Sequence, residues 1–278
     1  MRLGIFAKTF PRPTVEEVFD AVRGAGFPCA QFNFACAGLP TLPEDVGETL
    51  ASRIVAAAEA RGIELVAVSG TFNTIDPNFE KRQDGLRLLR RMIEVAERMR
   101  IPLVTLCTGT RDPDNIWRRH SDNDTPAAWR DLVASIRWVL GETAGSRVAL
   151  GIEPEVANVV DSAAKCRRLL DEIGSPRLKV VMDGANLFHT GDLPRMREVL
   201  DEAFELLGPD IALAHAKDLA SDGEAGDRAA GSGVLDYDRY LALLRTAGYG
   251  GPLVLHGLRE DELVASLAFL RAKLGKER

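Results

Sequence analysis

Short apolar runs alternate with longer, one-sided ones along the whole chain. Residues 3–8 (LGIFAK), 29–34 (CAQFNF), 64–70 (ELVAVSG), 102–109 (PLVTLCTG), 147–153 (RVALGIE), 178–183 (LKVVMD), 211–218 (IALAHAKD) and 252–256 (PLVLH) read as buried strands. After each of them, apolar residues recur at helical spacing, over 14–26, 44–61, 79–99, 125–143, 161–173, 193–207, 236–247 and 261–274. Thr14 is placed to cap the first helix and Gly24 and Gly26 to end it, while Leu86, Leu89, Ile93 and Ala96 share one face of the third. Strands without a polar face, each joined to the next by a helix, imply a parallel sheet. Eight such units in 278 residues predict a closed (β/α)8 TIM barrel, a single α/β domain over residues 1–278. The competing open, doubly wound sheet would carry a glycine-rich phosphate loop after an early strand, and no such motif occurs there.

Composition narrows the partners more than the fold. The net charge of −6 argues against nucleic-acid backbones as ligands, though it leaves room for a small anion in a local basic pocket. No apolar run approaches the roughly 18 residues of a membrane helix. The opening MRLGIFAKTFPRP is broken by Lys8 and Pro11 too early for a signal-peptide core. Cys29, Cys36, Cys107 and Cys166 show no CxxC spacing, so they are expected to be reduced and packed, and the chain cytoplasmic.

Chemistry gathers at the carboxyl ends of the last four predicted strands, where a barrel of this kind places its active site. Glu153 follows ALGI, Asp183 follows VVM, His215 follows ALA and His256 follows LVL. Carboxylates brought together in a buried mouth repel one another unless a cation compensates them. A divalent ion would accept two carboxylates and two neutral imidazoles and keep positions open for substrate oxygens. The mixed oxygen and nitrogen set suits Mn, Co, Fe or Zn better than Mg or Ca; manganese is the first expectation, with Co, Zn, Fe and Mg as alternatives. A polar layer capping the barrel without metal is the competing reading.

The segments GIEPE, VVMDGANLF, HAKD, RAAGSGVLDY and GYGGPLVLHG resemble the xylose-isomerase-like barrels (AP-endonuclease family 2), specifically their sugar phosphate isomerase/epimerase branch, over nearly the whole chain. The resemblance implies one divalent ion held by Glu, Asp, His and Glu. Glu153, Asp183 and His215 match the first three, and His256 stands where the second glutamate is usual. In the epimerases of that family the two glutamates serve opposite faces of the substrate, so this chain lacks one of the pair. The resemblance also implies a substrate-binding arginine before a GxG loop, matched by Arg228. A substrate-binding histidine is usual three residues after the metal aspartate; Asn186 takes that place here, with His189 three further on.

The implied substrate is a small-molecule carbohydrate: a keto sugar, a sugar phosphate or a polyol-derived carbonyl compound. A base would remove the proton beside a metal-bound carbonyl. Reprotonation on the other carbon isomerises, on the other face epimerises, and loss of a β-hydroxyl dehydrates, as in an inosose-type dehydratase (a lyase). Glu153 is expected to be ligand and catalytic base. Glu155 is a candidate substrate contact or a solvated rim residue. Lys217 faces the mouth by strand alternation, to stabilise an oxyanion or to pair with Glu155 or Asp183, while Asp218 points away and is structural. In the loop after the fourth strand, Arg111, Trp117, Arg118, Arg119 and His120 are candidates for a substrate-binding lid, against a plain solvated loop. Phe6, Phe32, Phe34 and Phe72 are an apolar wall or ordinary core. A non-catalytic sugar-binding barrel is the contrasting function. A trinuclear-zinc nuclease is disfavoured by the small stock of four histidines and by SGTFN, which lacks a histidine, at the end of the third strand. A homo-oligomer is left open.

Overall fold

The computed structural model describes residues 1–275. Its strands are β1 (Arg2–Phe6), β2 (Cys29–Phe32), β3 (Glu64–Ser69), β4 (Leu103–Leu106), β5 (Ala149–Ile152), β6 (Leu178–Asp183), β7 (Ile211–Asp218), the two-residue β8 (Arg228–Ala229) and β9 (Pro252–Leu255). Its helices are α1 (Val15–Gly24), α2 (Glu48–Glu59), α3 (Phe79–Arg98), α4 (Pro126–Glu142), α5 (Ala163–Ile173), α6 (Met196–Leu207), α7 (Tyr237–Thr246) and α8 (Leu263–Gly275). β1 to β7 pair in parallel in chain order, β9 pairs with β7, and Arg2–Ile5 of β1 against Pro252–Leu255 of β9 closes the ring. The result is the predicted eight-stranded (β/α)8 barrel. Among the described residues no helix is long and apolar enough to cross a membrane.

Local chemistry sets the helix starts. Thr14, Asn78, Thr125, Ser162 and Asp236 each accept a backbone N–H from the first turn of the helix that follows. The helices turn apolar stripes such as Leu89, Ile93 and Ala96 of α3 onto the outside of the barrel, with Leu86 buried beside them. Inside it, Cys29, Ala67, Leu103, Val181, Leu213 and Val254 form a small apolar layer. Gly151 belongs to that layer because there is no room for more: a Cβ there would lie 2.7 Å from Val181 Cγ2. All four cysteines are free and buried.

β6 and β7 end at Asp183 and Asp218 as predicted, while the other six barrel strands stop short of their predicted ends at the mouth. β1 ends at Phe6 because Ala7–Thr9 coil into a 3-10 turn, and β2 ends at Phe32 because Asn33 caps the turn Phe34–Ala37. Period-2 alternation nevertheless carries beyond the shortened strands, which is how Glu153 and His256 reach the mouth just past β5 and β9, beside Asp183 and His215 within β6 and β7. The loop predicted over 219–235 hides β8, whose Arg228 and Ala229 pair antiparallel with Asp218 and Lys217.

Candidate metal and substrate site

Above the apolar layer, the inward positions turn polar on nearly every strand. Gln31, Ser69, Thr105, Glu153, Asp183, His215 and His256 make one tier; Lys8, Asn33, Thr71, Cys107, Glu155 and Lys217 stand above it. Except for Asp183, which lies fully buried behind the others, these residues line a cavity of about 420 Å³ together with Phe6, Thr41, Ile116, Trp117 and Asn186.

Asp183, His215 and His256 each offer one donor atom within 4.8 Å of the other two. Asp183 Oδ2, His215 Nδ1 and His256 Nδ1 are buried without hydrogen-bond partners; Asp183 Oδ2 has the Lys217 ammonium 3.3 Å away, whereas the two imidazole nitrogens are left for a cation to satisfy. Glu153 flanks this cluster, its Oε1 3.5 Å from His215 Nδ1 and held there by a 2.7 Å hydrogen bond from Asn186 Nδ2. The four strand-end residues therefore do meet, with Asp183, His215 and His256 as the tight group and Glu153 beside it. The donor set fits a divalent ion.

The orientation of His215 is fixed from across the barrel. Its Nε2 lies 2.9 Å from Gln31 Oε1, and Gln31 Nε2 donates at 3.2 Å to both Ser69 Oγ and Thr105 Oγ1. The glutamine amide thus has only its oxygen left for His215, which puts the proton on Nε2 and turns Nδ1 toward the carboxylates. The ring of His256 stacks on His215 at 4.9 Å and 4°, with Phe6 against its other side at 4.9 Å. From outside, Tyr240 Oη lies 2.9 Å from Met182 O and 3.0 Å from His215 O, so one phenol of α7 spans β6 and β7 beside two of the donors. Sequence reading missed Gln31 and Tyr240. The signal for Gln31 was a glutamine in the middle of an otherwise apolar strand.

Burial and charge set the protonation pattern. Burial raises the Glu153 carboxyl, but the adjacent His215 ring and then the Lys217 ammonium outweigh it and hold the group at about 2. Burial, then the charge of Glu153, pushes Glu155 up to about 7, and its Oε1 has no partner. Burial also drives Asp183 upward, against the pull of Lys217. It drives His256 well below the usual imidazole range, which leaves a neutral ring free to ligate. Lys217, itself buried, stays an ammonium because Asp183, then Glu153 and Glu155, outweigh its desolvation; its Nζ is 3.3 Å from Asp183 Oδ2.

The remaining candidates scatter. Trp117 stands at the rim, 56% exposed. Arg228 lies in an adjoining cavity that shares Phe6, Lys8 and His256 with the mouth. His189 lies outside the mouth, its Nε2 3.0 Å from Asp161 O, and His120 caps a 3-10 turn by accepting from Asp122 N. Arg111 pairs with Asp131 of α4 and donates to Ile75 O, away from the cavity. Arg118 and Arg119 are tied to Asp112 and to Asp124 and Asp161, and pin the loop that carries Trp117. Phe32 and Phe34 are core, and Phe72 packs on Gly85 of α3. Asp218 is buried and accepts from the backbone N–H of Leu219, Gly231 and Leu235, a structural role.

The model of the xylose isomerase-like TIM barrel family matches residues 19–273. No curated protein matches the chain significantly in sequence. Among solved structures, a xylose isomerase domain protein from Planctomyces limnophilus superposes with a TM-score of 0.73 at 19% identity, over 99% of this chain and 97% of that one. The 3-keto-D-glucoside 4-epimerase from E. coli gives 0.74 at 18% identity, over 98% and 99%. The IolI protein with a bound zinc atom gives 0.76 at 14% identity, over 100% and 99%. At such identities the likeness speaks for the fold alone.

Proposed function

Since this chain belongs to the xylose isomerase-like TIM barrel family, we propose that it is a divalent-metal-dependent isomerase or epimerase-type enzyme acting on a small keto sugar, sugar phosphate or polyol-derived carbonyl compound. The observation that carries the reading is the convergence of buried donors on Asp183, His215 and His256, with both imidazole Nδ1 atoms left without partners, beside a cavity of about 420 Å³. The relatives of like fold support it, one being an epimerase of a keto-glucoside and another holding zinc.

Asp183, His215, His256 and Glu153 would hold the ion, which when bound supplies a Lewis acid for a carbonyl and its neighbouring hydroxyl. Asn186 fixes the Glu153 carboxylate, which commits that group to ligation more than to proton transfer. Glu155 is the uncommitted carboxyl of the mouth, with a proton affinity near neutrality that suits a group taking and returning a proton. The Lys217 ammonium offers a partner for negative charge developing on a substrate oxygen. Ile116 and Trp117 wall the cavity on the side of the loop after β4, and Arg228 borders the space next to it. With His256 in place of a second glutamate, one proton carrier remains on one face. A proton taken and returned on the same face moves to the neighbouring carbon, so the arrangement favours isomerisation over epimerisation.

The test is proton exchange. Purified protein with added Mn or Zn, incubated in deuterated water with a panel of keto sugars and inososes, is expected to wash deuterium into the carbon next to the carbonyl of at least one of them. Tight metal binding with no exchange, no isomer and no dehydrated product across the panel would favour a sugar-binding barrel instead.

A further inference from the structure

We propose that Lys217 is a resident cation that competes with the divalent metal for Asp183. It compensates the metal-free site and turns toward substrate when the metal arrives. The inference rests on the metal reading above and goes beyond it.

Lys217 points inward from β7, two residues after His215, and is only 6% exposed. Its Nζ lies 3.3 Å from Asp183 Oδ2, an oxygen that otherwise lacks a hydrogen bond. That oxygen also lies 3.8 Å from His215 Nδ1, and Asp183 is one of the three residues whose donors cluster there. Glu153 and Glu155 line the same cavity as Lys217, and Asp183 pairs with it, so negative charge on these buried carboxyls needs a counter-charge. In the metal-free protein Lys217 supplies it.

The stem of the lysine is confined. A Cβ on Gly257, just beyond β9, would lie 2.8 Å from Lys217 Cδ and 2.9 Å from its Cγ, so the glycine leaves the channel in which the stem runs. The backbone is fixed as well, since Tyr237 Oη donates to Lys217 O at 2.9 Å. The mobile part is therefore the end of the chain, which lines the mouth cavity. A divalent ion binds a carboxylate oxygen at about 2.0–2.2 Å. An ammonium left against the same oxygen would then face a double positive charge at close range. Metal entry thus displaces the ammonium, and the mouth where a substrate oxygen would lie is the space open to it. Two consequences follow: the ligand set binds metal less tightly than it would without Lys217, and the metal-free barrel is more stable than its buried carboxylates alone would allow.

The experiment compares metal-stripped wild type with Lys217→Met and Lys217→Arg, without substrate. Zinc affinity is read by competition with a chromophoric chelator, and thermal stability with and without zinc. Lys217→Met is expected to bind zinc roughly ten- to a hundredfold more tightly, as removal of a close unit charge at an intermediate dielectric implies. Its metal-free form is expected to melt lower, with the deficit closing on zinc addition. Lys217→Arg keeps the charge and is expected to keep both the weaker affinity and the metal-free stability. Unchanged or weaker zinc binding by a folded Lys217→Met protein overturns the inference and leaves the metal reading standing. If Lys217→Met does not fold, zinc binding by Lys217→Arg as tight as the predicted gain would overturn it. Absence of zinc binding by the wild type would remove the metal reading together with the inference.

Discussion

Glu155 and Gln31 divide the labour of the site in ways that separate experiments can read. Glu155→Gln keeps shape and removes the titratable group, so catalysed exchange should fall by about 10²–10⁴ while zinc affinity changes little. The same change has a stability signature with a definite sign. The Glu155 carboxyl has an ordinary value of 4.5 and is raised to about 7 by burial and the charge of Glu153. Between those values the folded state holds a proton that the unfolded state has lost, so stability falls as pH rises through that window and levels off above it. Metal-free Glu155→Gln should therefore melt above the wild type at about pH 8 and lose that advantage near pH 4. Gln31→Leu acts on a different quantity. It frees the His215 ring to turn, and a lost partner of a ligating histidine weakens metal affinity by about 10–100-fold, measurable by chelator competition. Chemistry at this scale was half legible. Glu153, Asp183, His215 and His256 each break an apolar run and so announce themselves. Gln31 also breaks one, but its partner lies 184 positions away, and only closure of the ring brings the two together.

At the scale of elements, period and punctuation in the sequence located every barrel strand and helix, because each segment's burial pattern agrees with its local propensity. The disagreements lie at the ends of elements, mainly the carboxyl ends of the strands, and in the loops. There the chain leaves the ladder under the control of side-chain caps and long-range contacts, which have no periodicity to read. Asn33 ends β2 in this way, and Asn123 holds the loop after β4 by accepting from Arg111 N and Thr110 Oγ1 and donating to Ala157 O. This explains why the loop carrying Trp117 is anchored, a property that its polar composition concealed. The loop after β7 has a comparable anchor in Asp218. Asp218→Ala would leave the N–H groups of Leu219, Gly231 and Leu235 without their acceptor and should cost about 2–4 kcal/mol. A lowered denaturant midpoint, with new proteolytic cleavage near Arg228, is the expected result.

Taken whole, the molecule is two concentric layers, and most of its side chains serve only one of them. Tyr240 belongs to both. It rides on an outer helix, and its hydroxyl lies within hydrogen-bond reach of the backbone oxygens of Met182 and His215, on the two strands where Asp183 faces His215. Tyr240→Phe is expected to leave the barrel folded, at a cost of about 0.5–1.5 kcal/mol for the lost bond. It should also broaden the spectrum of a cobalt-substituted site as the gap between donors relaxes. The phenol works as a calliper set from the periphery. If the proposed ion is bound, a shift in the packing of the outer helices would retune which ion the centre grips best, while every ligand stays the same. On the proposed metal reading, preference among ions would then be open to change from the surface of the molecule.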